Sequence, residues 1–533
     1  MSEREIARQV EERAAGLLPP PSPELEIDDQ FVLDCLDANE RGDGLLYAAR
    51  NRGSFIFNST PKDGQWLRWG GNVWEDDEFR DSFDAVEKVA LNYEDQALAL
   101  EKRLEEQHKD KRPKKGDKDY WMVQLISKLR KRVDRLRSES GAKKALVWAP
   151  VVDRSMACRE LDMDRHPWLL PCVNGVIDLK TGVLLPGRPG DLLTKAITVP
   201  YDPHADYTEW ATVLDDITGS PEVSAFLKRF FGYAITGHSY EQYIAVFIGR
   251  GRNGKGVLFS LLSSVLGPYY HVISPAMLTE QKVDPSINAA SEHKYALLGK
   301  RLVVAGETKR GQRVDAGNLK GLTGDDQIEC RPNFGKVVVF DPTHTLCLHT
   351  NHMPTGMGTD FALIQRLLKI DFPWSFVDDP EAEAKKYPSM AGSFKKKDPR
   401  LKDRLRDNLT GILTWLVEGC REWQERGLDP PEQLLKSAEE LAASEDYMKE
   451  FLTDCLVIYP DDPARQISFP TLYQCFLWWW GNNRGDVKKA PANRTVAKDM
   501  RERGYELVKI GGKLVVLGVM YNPEVSHELA NLG

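Results

Sequence analysis

The chain has 533 residues and a formal net charge of −8, and 41% of its residues are hydrophobic. This length allows roughly two to four domains, and the composition is that of an ordinary globular protein. The acidic balance argues against a protein that coats DNA with its whole surface, but it is compatible with a channel lined by basic residues.

The residues give no support to a membrane protein or a zinc protein. No apolar run approaches the length of a membrane span, and the N-terminus is too charged for a signal peptide. We therefore expect a cytoplasmic protein without a membrane partner. The 8 cysteines are scattered without a C-x-x-C pair, which indicates neither a disulfide framework nor a zinc site.

Changes in composition divide the chain into six expected segments. Residues 1–27 are charged and then proline-rich, which predicts a flexible leader. The later segments are a mixed domain with a long charged helix over 28–145, a domain ahead of the core over 146–225, a core over 226–375 that holds the motifs described below, a linker and helical region over 376–443 that begins with an exposed loop, and a winged-helix-like domain over 444–533.

Two runs of basic residues precede the core. One lies at 109–118, and the other lies at 127–137 on a predicted helix. They form either a solvated helix face or an arm that touches DNA or a replication partner, and the sequence leaves both interpretations open.

The stretch GRGRNGKG predicts a phosphate-binding loop. It follows the apolar run 244–248 and precedes 257–266, where apolar residues recur at helical spacing. Backbone amides of such a loop turn toward phosphate oxygens at the positive end of the new helix. Lys255 would reach the β- and γ-phosphates, whereas Gly256 stands where Ser or Thr usually ligates Mg²⁺. The expected nucleotide-binding residues are Gly249, Arg250, Gly251, Arg252, Asn253, Gly254, Lys255 and Gly256.

Two polar residues follow apolar runs further along the chain. Glu307 comes after the strand-like run 301–306, and it could hold Mg²⁺ through water and polarise the attacking water. Asn351 follows the run 345–350, and its amide could position that water. Taken alone, each has a simpler interpretation, a solvated acid on an edge strand and a turn or capping residue. Their order and close spacing after the loop favour the catalytic interpretation.

Together with Arg366, these motifs resemble the motor domain of superfamily 3 helicases, the ring-forming ATPases of small DNA viruses, phages and plasmids. The resemblance implies an α/β fold with a P-loop core of AAA+ type, ATP and Mg²⁺ as cofactors, and a hexamer. Arg366 stands where the family's arginine finger acts on the neighbouring subunit's nucleotide; taken alone, it would be a surface salt bridge. The catalytic residues are then Glu307, Asn351 and Arg366, with Glu307 as the Mg²⁺ ligand through water.

The segment between Glu307 and Asn351 resembles the element of that family whose β-hairpin grips DNA. A turn at 332–335 and a β-branched return strand at 337–340 predict the hairpin. A cation and an aromatic ring near its tip suit single-stranded DNA, although a solvated hairpin is the simpler interpretation. The DNA-binding candidates here are Lys320, Arg331, Phe334 and Lys336.

The resemblance narrows to the phage and plasmid primase–helicases, a group that includes the poxvirus primase–helicase. Residues 164–185 resemble the segment before the motor, and residues 66–74 resemble a tryptophan-containing hairpin of these proteins. We expect the primase catalytic domain, which needs paired carboxylates on a strand, to be absent. Asp162 and Asp164 have the spacing but lack strand-like flanks.

The C-terminal region predicts a winged helix. One helix is expected over 471–482, a second begins with Asn493 as its cap, and a hairpin follows over 509–516. The second helix could enter a DNA major groove, although winged helices also bind proteins. The DNA-binding candidates on it are Arg494, Lys498 and Arg501.

The sequence therefore favours an ATP-dependent, ring-forming DNA helicase of phage or mobile-element replication in a bacterial host. Its partners would be single-stranded and forked DNA, further copies of itself, and a separate primase or polymerase. Three alternatives remain open: an origin-binding initiator, a nucleotide-dependent scaffold with weak ATPase activity, which Gly256 would fit, and a P-loop enzyme that acts without nucleic acid.

Overall fold

The computed structural model describes most of the chain from residue 27 to residue 525. The described residues are 27–108, 112–281, 292–309, 312–324, 326–331, 337–357, 360–460, 462–523 and 525. The predicted leader therefore lies outside them, apart from its last residue. Among the described residues, no helix is long and apolar enough to cross a membrane.

Helices form most of the N-terminal part, and a four-stranded sheet of order β3-β2-β1-β4 lies beside them. Along α4, the buried residues Val86, Val89, Ala90 and Tyr93 recur at helical spacing and share one core with α2 and α6. The elements are α1 (Asp29–Asp37), α2 (Asn39–Asn51), β1 (Phe55–Asn58), β2 (Gln65–Trp69), β3 (Trp74–Asp76), α3 (Asp81–Asp84), α4 (Val86–Gln107), α5 (Tyr120–Leu136), α6 (Glu139–Val152) and β4 (Ala157–Cys158).

The second basic run lies on α5 and is met by acids of the same chain. Arg130 pairs with Glu94 at 3.1 Å and with Glu101 at 2.8 Å, and Arg137 pairs with Glu94 at 2.7 Å. Both acids belong to α4, which packs against α5. Of the two interpretations left open by the sequence, these ion pairs favour the solvated helix face over an arm that touches DNA or a partner.

A three-stranded antiparallel sheet and two helices lead to the centre of the molecule. Helix α8 begins after Ser220, whose hydroxyl accepts a hydrogen bond from the amide of Val223. Its Phe226 and Phe230 are fully buried in the main core. The elements are β5 (Leu169–Cys172), β6 (Gly175–Asp178), β7 (Val183–Leu185), α7 (Thr208–Thr218) and α8 (Pro221–Ala234).

A five-stranded parallel sheet of order β14-β8-β13-β10-β9 forms the centre. Its inner strands β8 and β10 are apolar throughout, because helices cover both faces of the sheet. The carboxyl ends of β8, β13 and β10 meet at one edge, where parallel sheets bind ligands. The elements are β8 (Ile244–Ile248), α9 (Lys255–Leu266), β9 (Tyr270–Ile273), β10 (Leu302–Ala305), α10 (Ala316–Thr323), β11 (Ile328–Cys330), β12 (Val338–Phe340), β13 (Thr345–Thr350), α11 (Phe361–Arg366) and β14 (Leu367–Asp371).

The C-terminal part contains helices and small sheets, of which one has the order β18-β20-β19. The elements are β15 (Ser375–Val377), α12 (Pro380–Lys386), β16 (Phe394–Lys396), α13 (Leu401–Arg406), α14 (Leu409–Arg426), α15 (Glu432–Glu445), α16 (Tyr447–Cys455), β17 (Leu456–Ile458), β18 (Gln466–Ser468), α17 (Phe469–Asn483), α18 (Asn493–Glu502), β19 (Leu507–Ile510), β20 (Lys513–Leu517) and β21 (Val519–Tyr521).

Two local predictions in this part are wrong. The stretch 376–398 is not an open loop, because β15 and β16 pair in parallel and α12 lies between them. Asn493 is not a capping residue but the first residue of α18, which starts without a side-chain cap after Ala492.

Candidate functional site

The glycine-rich loop joins the end of β8 to the start of α9, and its conformation requires glycine. Gly251 and Gly254 have φ angles of 68° and 89°, where a side chain would be strained. A Cβ atom on Gly249 would come within 2.6 Å of the carbonyl oxygen of Phe372. Because α9 begins at Lys255, its amino terminus lies beside the loop and provides the positive end of a helix for an anion.

Lys255 is buried in the loop with 3% of its surface exposed. Its Nζ donates to the carbonyl oxygens of Gly249 at 2.8 Å and of Thr350 at 2.6 Å, and to Oδ1 of Asn351 at 3.3 Å. Burial lowers the pKa of Lys255 to about 8, although the negative charge of Glu307 opposes this shift. The amine thus lies between the ends of β8 and β13.

Glu307 and Asn351 are joined by a hydrogen bond. Nδ2 of Asn351 donates to Oε1 of Glu307 at 2.6 Å, while Oδ1 of the same amide accepts from Lys255. One chain of three side chains therefore crosses the carboxyl ends of β8, β13 and β10. The structure brings together the lysine, the amide and the acid that the sequence pattern selected.

The donor set at this edge fits Mg²⁺ only if phosphate and water supply most of its ligands. In the described part of the chain, no three His, Cys, Asp or Glu residues are grouped to hold a metal ion, so Glu307 would act alone. A Cβ atom on Gly256 would meet no atom within 4 Å, so the position of the usual hydroxyl is open space. The hydroxyl of Thr308 is buried and bonds to that of Thr350 at 3.0 Å.

Arg366 lies apart from the loop of its own chain. It is the last residue of α11, and its Nη1 donates to the carbonyl oxygen of Lys320 in α10 at 3.4 Å. Nζ of Lys320 bonds to Oδ2 of Asp360 at 2.9 Å. The residues that follow Arg366 form β14.

The predicted hairpin is present as β11 and β12, which pair in antiparallel fashion. Arg331 follows β11 and is exposed. Phe334 and Lys336 lie outside the described residues, so their placement at the tip stays a prediction.

Arg494, Lys498 and Arg501 are all exposed on one face of α18, whereas Val496 and Met500 on its other face are buried. The neighbouring hairpin of β19 and β20 turns at Gly511 and Gly512, both with positive φ. It carries two further exposed cations that the sequence analysis did not select, Lys509 and Lys513. Their positions on either side of a two-glycine turn could have identified them in the sequence.

The stretch that follows β14 contacts the glycine-rich loop, which the sequence analysis missed. The amide of Phe376 donates to the carbonyl oxygen of Arg252 at 2.7 Å, and Oγ of Ser375 donates to that of Gly251 at 3.3 Å. Nη1 of Arg250 also reaches the sulfur of Met390 at 2.8 Å. The apolar residues around Phe376 were the available sequence signal for this contact with the loop, because an apolar run predicts burial.

Two family models match the chain. The model described as "D5 N terminal like" matches residues 46–219, and a family of unknown function matches residues 247–366. The second match contains the glycine-rich loop, Glu307, Asn351 and Arg366.

Curated viral proteins are similar over long stretches. "Putative helicase L207/L206" of Acanthamoeba polyphaga mimivirus is 26% identical over 345 residues, covering 64% of this chain and 35% of that protein. "Putative helicase 121R" of Invertebrate iridescent virus 3 is 24% identical over 378 residues, covering 68% and 39%. "Primase D5" of Fowlpox virus is 21% identical over 239 residues, covering 42% and 30%. These matches support a member of a primase–helicase family.

The matched part of these relatives is limited to 30–39% of their own length. Among solved structures, the apo C-terminal region of NrS-1 is 12% identical, with 62% of this chain and 80% of that chain covered and a TM-score of 0.38. Because this score is too low to establish a shared fold, the fold of this family member rests on the sheet order described above.

Proposed function

We propose that this primase–helicase family member is the motor of a ring-forming, ATP-driven DNA helicase of superfamily 3, with a P-loop core of AAA+ type. The observation that carries the proposal is the chain of hydrogen bonds from Lys255 through Asn351 to Glu307 at the carboxyl edge of the parallel sheet. A lysine, an amide and an acid at this place suit a triphosphate and the water that attacks it.

In this proposal each residue has one role. The loop amides and Lys255 bind the phosphates, Asn351 positions the lytic water, and Glu307 takes its proton and holds Mg²⁺ through water. The metal, when bound, would neutralise charge on the transferring phosphoryl group. Arg366 precedes β14, whose first residue pairs with the first residue of β8, so it lies at the opposite end of these strands from its own loop. This position supports action on the nucleotide of a neighbouring subunit in an oligomer, for which we propose a hexamer.

The DNA contacts are also part of the proposal. Single-stranded DNA would pass the hairpin of β11 and β12, with Arg331 beside it and Phe334 and Lys336 at its tip. Forked DNA and a separate primase or polymerase are the proposed partners. The bacterial host and the phage or mobile-element origin expected from the sequence stay predictions.

ATP hydrolysis with and without oligothymidine, measured for wild type and Lys255→Ala, tests this function. We expect turnover that DNA stimulates and that the variant loses, because a phosphate-binding loop without its lysine cannot neutralise the β- and γ-phosphates. A thermal melt of the variant checks that it is folded. Turnover indifferent to DNA would instead favour a nucleic-acid-independent ATPase, and bound nucleotide without turnover would favour the scaffold.

An origin-binding initiator is the second candidate, and the exposed basic face of α18 favours it. Lys509 and Lys513 on the adjacent hairpin add charge next to this face, as a module that contacts duplex DNA requires. Footprinting on the DNA that encodes the protein tests it. Protection lost in Arg494→Ala but not in Lys128→Ala, a distant surface lysine, would support sequence-specific binding, and no protection in wild type would contradict it.

A further inference from the structure

Lys320 and Arg366, which the sequence pattern assigned to DNA and to the nucleotide, lie at one place. Nη1 of Arg366 donates to the carbonyl oxygen of Lys320 at 3.4 Å and to Oγ1 of Thr323 at 3.3 Å. Both acceptors belong to the last turn of α10. The half-buried guanidinium of Arg366 therefore rests on this single turn.

The ammonium group of Lys320 bonds to Asp360, which also begins the helix of Arg366. Oδ1 of Asp360 accepts from the amides of Ala362 at 3.0 Å and Leu363 at 3.2 Å, which caps α11, while Oδ2 accepts from Lys320 at 2.9 Å. Burial alone would raise the pKa of Asp360, but the bond to Lys320 and the two amides lower it overall, so the carboxylate is charged. One carboxylate thus ties α10 to the start of α11.

This arrangement does not suit a lysine that binds DNA. The side chains of Lys320 and Asp360 are only 38% and 29% exposed, and the carboxylate already neutralises the ammonium group. A phosphate contact needs a free cation. The arrangement instead suits a structural link between α10 and α11. Helix α10 leads through residues 324–327 into β11 of the hairpin, while α11 ends at Arg366.

We propose that Lys320 is a positioning residue: with Asp360 it fixes α10 against α11 and so holds Arg366 in the orientation from which it acts on the neighbouring nucleotide. The inference rests on the proposed ATPase function. Because α10 continues toward β11, a shift of the hairpin on DNA would reach Arg366 through the same turn.

The test combines Lys320→Met, Asp360→Asn, the double variant and Lys320→Arg. Asn keeps the helix cap but removes the charge, so Asp360→Asn breaks the ion pair and leaves the start of α11 intact. We expect each single variant to lower kcat roughly tenfold, because small displacements of a catalytic group are costly. KM for ATP and the Kd for oligothymidine should not change, and Lys320→Arg should retain turnover.

The double variant separates a shared role from two independent ones. If the two residues act as a pair, the double variant is no slower than either single variant. Additive losses would overturn the proposal, and so would weaker oligothymidine binding in Lys320→Met with normal binding in Asp360→Asn, which would return Lys320 to a DNA contact. A wild type without turnover would defeat the proposed function itself; an active wild type with fully active variants would defeat only the positioning role.

Discussion

Lys255 is held among neutral oxygens, and its burial makes its proton easy to lose. Since the pKa of Lys255 is lowered to about 8, part of the free protein is uncharged at this residue near neutral pH. A bound triphosphate favours the ammonium form, so nucleotide binding raises this pKa again. Binding must therefore take up a proton, and nucleotide affinity must fall as the pH rises through about 8.

Calorimetry of nucleotide binding in two buffers of different ionisation enthalpy measures this uptake. We expect the proton uptake to be larger at pH 8.5 than at pH 7.5, because the uncharged fraction of Lys255 grows as the pH rises through its lowered pKa. The lower pH serves as the internal control. Equal uptake at both pH values would mean that another group titrates.

Gly256 leaves room for the hydroxyl that the loop lacks. Because a Cβ atom there meets no atom within 4 Å, Gly256→Ser can add an oxygen beside the phosphates without repacking. We expect Mn²⁺, monitored by electron paramagnetic resonance in the presence of ADP, to bind roughly tenfold tighter. Gly256→Ala fills the same space without an oxygen and should leave the affinity unchanged. Identical behaviour of the two variants would show that the hydroxyl cannot reach the ion.

At the scale of elements, the N-terminal helices are joined by a buried ion pair. Nη1 of Arg132 in α5 bonds to Oδ1 of Asp43 in α2 at 2.7 Å, and the hydroxyl of Tyr93 in α4 donates to the same oxygen at 3.1 Å. The side chains of Arg132 and Asp43 are 7% and 3% exposed. Removing one partner of such a pair leaves a buried charge without compensation.

Arg132→Met should lower the free energy of unfolding by about 3–5 kcal/mol, since the carboxylate of Asp43 stays buried. Urea unfolding followed by circular dichroism measures this loss. The matched control is Arg137→Met, which removes a half-exposed arginine and should cost less than about 1 kcal/mol. Adding Asp43→Asn to Arg132→Met should recover part of the stability. Equal losses in the two arginine variants would contradict the argument.

Local sequence patterns predicted the elements that carry the candidate site. They did not predict features that depend on contacts between residues far apart in the sequence. β8 is an apolar run before a glycine-rich loop, β13 is a largely apolar run before Asn351, and the hairpin around Gly511 has a two-glycine turn. Local signals were therefore sufficient to predict these elements. Within the predicted helical region over 376–443, a break separates α13 from α14, because Asn408 caps the second of these helices. The pairing of β15 with β16 joins residues about 20 positions apart, which no local periodicity reveals.

At the scale of the whole molecule, Arg301 joins the two parts matched by different family models. It is buried, and its guanidinium donates to the carbonyl oxygens of Ile235 at 2.6 Å and Leu169 at 2.5 Å. It also lies over the ring of Tyr269, 4.6 Å from its centre. Strand β5 is thus fixed to the central sheet, so the regions matched by the two family models are in direct contact. Sequence pattern alone gave Arg301 no role beyond starting a strand.

The proposed ring predicts a recovery of activity that only an assembly of several copies can show. If Arg366 completes the site of a neighbouring subunit, each site combines Lys255 from one copy with Arg366 from the next, as in a head-to-tail ring. Arg366→Ala should bind nucleotide and fail to hydrolyse it, and Lys255→Ala should also be inactive. Mixing the two variants before assembly then creates interfaces with both residues intact.

In a random equal mixture, about a quarter of the interfaces hold an intact Lys255 opposite an intact Arg366. ATPase activity should therefore reappear in the mixture, measured by phosphate release, and rise when the two proteins are dissociated and reassembled together. The control mixes Lys255→Ala with the double variant Lys255→Ala/Arg366→Ala, which restores no site. Activity that stays absent in the first mixture, with mixed oligomers demonstrated by a tag on one variant, would place Arg366 in its own subunit's site or outside the reaction.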